Sequence, residues 1–224
     1  MLTQESTPTT DRVAARIGDI GLLPVIVIDD PAQAEPLARA LVASGLHTAE
    51  VTFRTDHAAQ AIEQMARFPE LLVGAGTVRT RSQVRRAQDA GAQFVLSPGF
   101  SEQVVDESRT RNLPVFPGVA SATDIHRATE AGLHVLKFFP AEASGGIAAI
   151  AALSAPFPEV RFVPTGGVGP NNVGDYLRQP SVCAVGGSWM VPRDPMRTQD
   201  WATITELCRE AVEMITRTRG AAGS

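Results

Sequence analysis

The sequence of 224 residues lacks the features that mark disulfide-rich, membrane-spanning and nucleic-acid-binding proteins. Cysteine occurs only twice, at Cys183 and Cys208, in no zinc or redox spacing, so two reduced thiols are expected. Apolar runs break within about ten residues, too short to span a bilayer, and the amino terminus has no signal-peptide core. The 20 Lys and Arg residues form no basic run, which argues against nucleic-acid binding. A cytoplasmic protein with no membrane and no nucleic-acid partner is therefore predicted.

A repeated pattern fills the chain instead. Short apolar, β-branched segments recur about every 20–26 residues, the length of one strand plus one helix. They occupy residues 23–28, 48–53, 71–76, 93–98, 113–118, 134–140, 160–167 and 182–187. Eight such units predict an α/β fold, a (β/α)8 TIM barrel in one domain over residues 11–219, with a disordered tail over residues 1–10. An open doubly wound sheet is the alternative.

Two strands carry charged residues that a purely structural core would not need. Lys137 stands in the sixth apolar segment as VLKFF, where burial of an ammonium without compensation costs several kcal/mol. A lysine that extends to solvent from an edge strand is the structural interpretation. The functional one is an imine-forming nucleophile, because a desolvated lysine favours the free amine that attacks carbonyls.

The second strand carries polar residues at every other position. Glu50, Thr52 and Arg54 therefore share one face, and Val51 and Phe53 share the other, which is predicted to face the helices. A plain internal ion pair is one interpretation of Glu50 and Arg54. The other is a general acid/base at Glu50 and a carboxylate clamp at Arg54, at the strand mouth where barrel enzymes carry their chemistry.

Glycine-rich turns follow several strands. Gly74 and Gly76 precede Thr77 and are predicted to leave room for a ligand, without forming a dinucleotide fingerprint. Gly166-Gly167 and Gly186-Gly187-Ser188 follow the seventh and eighth strands, where barrels commonly bind phosphate through bare backbone N–H groups. Glycine turns without a ligand are the simpler interpretation. The four histidines have no metal-ligand spacing, so no metal is predicted.

These residues stand in an ordered set of motifs that closely resembles one family. The motifs are LPVIVI, EVTFRT, GAGTV, SPGF, KFFPAE, PTGGV and GGSWMV, and the resemblance runs from about residue 15 to 217. The family is that of the 2-keto-3-deoxy-6-phosphogluconate (KDPG) aldolases, also called 4-hydroxy-2-oxoglutarate aldolases. The resemblance implies a class I aldolase on a (β/α)8 barrel, a homotrimer without metal or other cofactor, acting on a small 2-keto acid phosphate.

The resemblance also implies a role for each matching residue. Lys137 matches the imine-forming lysine and Glu50 the general acid/base. The implied substrate-binding residues are Arg54 and Thr77 at the pyruvyl carboxylate, Phe139 in the pocket wall, Gly166, Gly167, Gly187 and Ser188 at the phosphate, and Thr165 and Pro98 beside the substrate. The implied reaction cleaves KDPG to pyruvate and glyceraldehyde 3-phosphate, and 4-hydroxy-2-oxoglutarate to pyruvate and glyoxylate.

Three other functions remain open from the residues. A related aldolase could prefer a galactonate-derived or an unphosphorylated 2-keto acid. A phosphate-binding barrel isomerase would share the glycine turns but would not need a buried lysine. A barrel that only binds a sugar phosphate would leave Glu50, Arg54 and Lys137 as costly charges without a task.

Overall fold

Short strands alternate with helices along the chain. The computed structural model describes the backbone of residues 8–222 and the side chains of residues 10–220. Its strands are β1 (Leu22–Ile26), β2 (Thr48–Thr52), β3 (Leu72–Gly76), β4 (Phe94–Leu96), β5 (Val115–Phe116), β6 (Gly118–Val119), β7 (Val135–Phe138), β8 (Arg161–Pro164) and β9 (Val185–Gly187). Its helices are α1 (Pro8–Ile20), α2 (Ala34–Ala43), α3 (Ala58–Met65), α4 (Arg81–Asp89), α5 (Glu102–Thr110), α6 (Ala122–Glu130), α7 (Gly146–Ser154), α8 (Val173–Arg178), α9 (Arg193–Thr198) and α10 (Trp201–Ala222). A disordered tail was predicted over residues 1–10; residues 1–7 lie outside the described residues, where it stays a prediction, whereas residues 8–10 belong to α1.

The strands form two curled parallel sheets, which confirms the predicted α/β class. One sheet has the order β5-β4-β3-β2-β1-β9 and the other the order β6-β7-β8. Isolated parallel bridges, Phe162 to Val182 and Thr165 to Gly186, link β8 to the β9 region. The predicted fifth strand is divided into β5 and β6 at Pro117, whose nitrogen has no hydrogen to donate to a ladder. The Pro117 carbonyl still accepts a hydrogen bond from the Lys137 backbone N–H at 2.9 Å.

A repeated helix end directs the chain back into the sheet. Helices α2, α4 and α6 are each followed within two residues by a left-handed glycine, Gly45, Gly91 or Gly132. After α2 the Leu46 N–H donates to the Leu41 carbonyl at 3.0 Å, and the same six-residue bond recurs after α4 and α6. This geometry satisfies carbonyls that have no partner within the helix and leads directly into the next strand.

Two apolar clusters stabilise the fold on the two sides of the strands. The larger lies between the strands and the surrounding helices, and Val51 and Phe53 belong to it, as predicted. The smaller lies on the inner face and includes Leu23, Phe94 and Phe116, with Ile17 of α1 packed into it. The inner face is thus filled by side chains except where the charged residues of β2 and β7 stand.

Helices α4 and α5 are joined by an ion-pair cluster around Glu107. This carboxylate is 6% exposed and accepts hydrogen bonds from Arg85 of α4 at 2.8 and 3.2 Å and from Arg111 at 2.9 Å. These hydrogen bonds, first from Arg85 and then from Arg111, lower the pKa of Glu107 to about 2. The cluster lies on the outer layer of the fold.

Two further observations concern expectations made from composition. Cys183 and Cys208, both within the described part of the chain, are free thiols. Among the helices of residues 8–222, none has an apolar stretch long enough to cross a bilayer.

Candidate active site

A buried ion pair occupies the inner face of the sheet. Lys137 Nζ donates a hydrogen bond to Glu50 Oε1 at 2.8 Å, and the two residues are 4% and 0% exposed. Lys137 lies in β7 and Glu50 in β2, two strands that belong to different sheets. The curl of the sheets brings them face to face. The predicted burial of Lys137 and the predicted inward direction of Glu50 are both observed.

The Glu50 carboxylate is only half satisfied. Its second oxygen, Oε2, is buried and has no hydrogen-bond partner among the described residues. A buried carboxylate oxygen is costly to leave unpaired, so this position favours a donor such as a water or a bound molecule. Oε2 is therefore available to accept a proton or a hydrogen bond from a bound molecule.

The glycines of β3 make room for neighbouring side chains. A Cβ on Gly76 would lie 2.1 Å from Glu50 Oε1, and one on Gly74 would lie 2.2 Å from the Phe94 ring. The sequence predicted that this space receives a ligand. In the structure this space is filled by the Glu50 carboxylate and by the Phe94 ring. The ion pair therefore requires a residue without a Cβ at Gly76.

Phe139 connects the ion pair to an open cleft. Lys137 Nζ lies 5.4 Å from the centre of the Phe139 ring, within the range of a cation–π contact. The same ring lines a cleft of about 340 Å³. The Phe139 ring is thus shared by the surroundings of the amine and by the wall of the cleft.

The cleft collects most of the predicted substrate-binding residues. Its lining includes Arg54, Phe139, Thr165, Gly166, Gly167, Gly187 and Ser188, all predicted, together with Val25, Val27, Val168, Val191, Pro192, Arg193 and Met196, none of which was predicted. Thr77 and Pro98 are half-buried and do not belong to this lining, nor do Lys137 and Glu50. Two arginines line the cleft, and no carboxylate does.

Thr77 has an unusual backbone conformation at the end of β3. Its φ is +57°, in the left-handed region that a β-branched residue rarely adopts. Such strain persists where the surroundings impose it, and it is concentrated at functional sites. Pro98 lies close to β6, because its carbonyl oxygen would be 2.3 Å from a Cβ on Gly118.

The turn after β8 is held by a side chain from the neighbouring loop. Gly166 and Gly167 have φ values of +101° and +81°, which favour glycine. A Cβ on Gly167 would lie 2.4 Å from Glu142 Cγ, and the Glu142 backbone N–H donates to the Gly166 carbonyl at 3.0 Å. Tyr176 donates its hydroxyl hydrogen bond to Glu142. Burial, and then this bond, raise the pKa of Tyr176. Glu142 and Tyr176 were not predicted from the sequence.

The lysine content of the sequence also singles out Lys137. Of the 20 lysine and arginine residues, Lys137 alone is a lysine. All the other residues of this set are arginines, and the arginine side chain cannot supply a free amine. The one lysine lies in the interior, beside a carboxylate.

Metal ligands are not grouped in the described part of the chain. Within it, no set of three or more His, Cys, Asp or Glu residues is arranged to hold a metal ion. The expectation that the site needs neither metal nor cofactor stays a prediction.

Comparison with known proteins reveals the same similarity over most of the chain. The family model described as KDPG and KHG aldolase, where KHG denotes 4-hydroxy-2-oxoglutarate, matches residues 13–207. A 2-dehydro-3-deoxy-phosphogluconate aldolase of Treponema pallidum is 46% identical over 197 residues, which cover 88% of this chain and 94% of the relative.

Two solved structures share both sequence and fold. A KDPG aldolase from Legionella pneumophila, with pyruvate captured as a covalent carbinolamine, has a TM-score of 0.85 and 42% identity, covering 88% of this chain and 97% of that one. The KDPG aldolase of Zymomonas mobilis with 3-phosphoglycerate has the same score and identity, covering 92% and 96%.

Proposed function

This chain belongs to the family of KDPG and KHG aldolases, and we propose that it is a class I aldolase that cleaves KDPG to pyruvate and glyceraldehyde 3-phosphate. The same chemistry extends to 4-hydroxy-2-oxoglutarate, which yields pyruvate and glyoxylate. The observation that carries the proposal is the buried pair of Lys137 and Glu50, 2.8 Å apart, behind a cleft lined by two arginines. The related Legionella enzyme holds pyruvate as a covalent carbinolamine, which supports the same chemistry here.

Lys137 is the proposed nucleophile. Its amine adds to the C2 carbonyl carbon of the substrate, and the carbinolamine that results loses water to give a protonated imine. Glu50, at hydrogen-bond distance, can take the proton that the ammonium must lose before it attacks, and it returns this proton to the carbinolamine hydroxyl, which leaves as water. The imine then withdraws electrons from the bond between C3 and C4.

Glu50 is the proposed acid and base for the bond-breaking step. The proton of the C4 hydroxyl passes to the Glu50 carboxylate. Glu50 Oε2 accepts no hydrogen bond from the described residues and is available for this proton. The electron pair of the C3–C4 bond moves into the imine, which becomes an enamine, and the aldehyde leaves. Protonation of the enamine at C3 and hydrolysis of the imine release pyruvate and restore the Lys137 amine.

The cleft is the proposed binding site for the two anionic ends of KDPG. Arg54 in the cleft wall and Thr77, which lies outside this wall at the end of β3, are assigned to the carboxylate, as the family resemblance implies. The phosphate is assigned to the turns formed by Gly166, Gly167, Gly187 and Ser188, with Thr165, Pro98 and Phe139 beside the substrate. A lining that includes two arginines and no Asp or Glu residue matches a ligand that is negative at both ends.

The proposal is tested by turnover and by two substitutions at the ion pair. Pyruvate release from KDPG is followed with lactate dehydrogenase for the wild type, Lys137→Ala and Glu50→Gln. We expect Lys137→Ala to abolish turnover, because no other lysine can form the imine. Glu50→Gln should slow proton transfer while the imine to Lys137 still forms. Near-normal activity of Lys137→Ala would refute the scheme.

We also propose that the curled sheets close into the (β/α)8 barrel predicted from the strand repeat. The bridges from Phe162 to Val182 and from Thr165 to Gly186 support closure between β8 and β9. Strands β5 and β6 together correspond to one predicted strand, so the nine strands count as eight strands of the proposed barrel. The domain over residues 11–219, the homotrimer and the cytoplasmic location stay predictions.

A further inference from the structure

Arg193 lies in the wall of the cleft, next to the glycine turns. It is the first residue of the short helix α9 and follows the segment 188–192 that leaves β9. Its neighbours in the lining include Gly187, Ser188 and Met196. Met196 is 5% exposed, and its carbonyl accepts a hydrogen bond from Gln33 Nε2 at 3.1 Å, so the segment that carries Arg193 is fixed to the fold.

The guanidinium of Arg193 makes no ion pair or side-chain hydrogen bond with the residues that the structure describes. The adjacent Asp194 pairs instead with Arg197, one turn later, at 3.4 Å. An exposed arginine normally finds solvent or a neighbouring carboxylate, but this one stands in a cleft that has no carboxylate in its wall.

Two cations thus stand in one cleft, on segments that follow different strands. Arg54 follows β2 and Arg193 follows β9, and β1 lies between these strands in the sheet. Two strand spacings amount to roughly 10 Å. Arg54 is assigned to the carboxylate end of the substrate, whereas Arg193 follows the Gly187-Ser188 turn along the chain.

We propose that Arg193 binds the phosphate of the substrate and sets the preference for phosphorylated over unphosphorylated 2-keto acids. The inference rests on the proposed aldolase function. A guanidinium forms two parallel hydrogen bonds to phosphate oxygens, which adds charge and geometry to donors from glycine N–H groups and the Ser188 hydroxyl. An unphosphorylated substrate such as 4-hydroxy-2-oxoglutarate has no group that would use this contact.

The experiment compares kcat/KM for KDPG and for 4-hydroxy-2-oxoglutarate in the full-length wild type, Arg193→Ala and Arg193→Lys. Arg193→Ala is expected to lower about tenfold the ratio of kcat/KM for KDPG to kcat/KM for 4-hydroxy-2-oxoglutarate. The change should come from a higher KM for KDPG, because an exposed charge-assisted hydrogen bond is lost. Arg193→Lys keeps the charge without the planar fork and should lie between. The inhibition constant of inorganic phosphate should rise in parallel with KM.

Arg197→Ala is the matched control. It removes an arginine from the same helix, and Arg197 lies outside the cleft lining in an exposed pair with Asp194. The ratio for Arg197→Ala should equal that of the wild type. A ratio unchanged in Arg193→Ala, or lowered equally by both variants, overturns the inference.

Failure of the aldolase proposal gives a different result. In that case the wild type itself releases no pyruvate from either substrate. A wild type that cleaves both substrates while Arg193→Ala keeps the wild-type ratio overturns the role of Arg193 alone.

Discussion

Replacing Gly76 by alanine is expected to lower catalytic activity by displacing Glu50 from Lys137. The new methyl group would lie 2.1 Å from Glu50 Oε1 and 2.5 Å from Glu50 Cγ, well inside van der Waals contact. Glu50 is 0% exposed, so its side chain cannot move away into solvent. The carboxylate must shift by about 1 Å from Lys137, and a misplacement of this size can lower turnover about 100-fold.

The stability of Gly76→Ala should fall as well, because overpacking a filled interior costs about 1–3 kcal/mol. The assay therefore combines kcat for KDPG cleavage with the free energy of unfolding measured in urea. Gly18→Ala is the matched control, since a Cβ on Gly18 in α1 meets nothing within 4 Å. That variant should keep wild-type activity and gain up to about 1 kcal/mol of stability from better helix propensity.

A second variant tests whether the contact with Glu50 causes the effect. In a Glu50→Asp background the side chain is one methylene shorter, so Gly76→Ala should destabilise the protein less than it does beside Glu50. Equal destabilisation in both backgrounds, or a Gly76→Ala variant with kcat within threefold of the wild type, would refute the steric argument.

Two further predictions concern the phosphate turn and the outer layer. Gly167→Ala should raise KM for KDPG at least about tenfold, because the new Cβ would lie 2.4 Å from Glu142 Cγ at a φ of +81°. KM for 4-hydroxy-2-oxoglutarate, which has no phosphate, should change little. An equal rise in KM with both substrates would contradict this prediction. Glu107→Gln should lower Tm at neutral pH. The pKa of Glu107 falls from an ordinary 4.5 to about 2 on folding, so its stabilisation is complete above pH 4.5 and is lost as the pH falls toward 2. The Tm difference between variant and wild type should shrink over that interval, and a difference independent of pH would contradict the assignment.

The order of strands and helices could be predicted from local patterns. Apolar segments, helix periodicity and the glycine after α2, α4 and α6 act within a few residues and can be read from the sequence. A turn at Phe116-Pro117-Gly118 was predicted to end the fifth strand, but the strand pairing that resumes as β6 after Pro117 was not predicted. No local pattern specifies pairing between residues far apart in the sequence, such as the bridge between Phe162 and Val182.

The reactive pair was predictable in part. Charges within apolar strands singled out Lys137 and Glu50, but the pairing register and curl that bring them to 2.8 Å appear only in three dimensions. The purpose of Gly76 was misjudged for the same reason. A glycine at a strand end predicts space, and only the fold decides whether a ligand or the Glu50 side chain fills it.

Arg193 shows a limit of a different kind. It stands outside the predicted strands and resembles any of the other arginines of a chain that has a single lysine. What distinguishes it is its place in the cleft wall and the absence of an ion-pair partner among the described residues, and both are tertiary facts. A count of lysines, by contrast, would have identified Lys137 from composition alone.

The most direct test of the imine chemistry is to trap it. The wild type and Lys137→Ala are incubated with pyruvate and borohydride, and the intact proteins and their peptides are analysed by mass spectrometry. Because Lys137 is the only lysine, the account predicts one reduced pyruvyl adduct, on the peptide that contains it, and none in Lys137→Ala. No adduct in the folded wild type, or an adduct only at the amino terminus, would contradict the account.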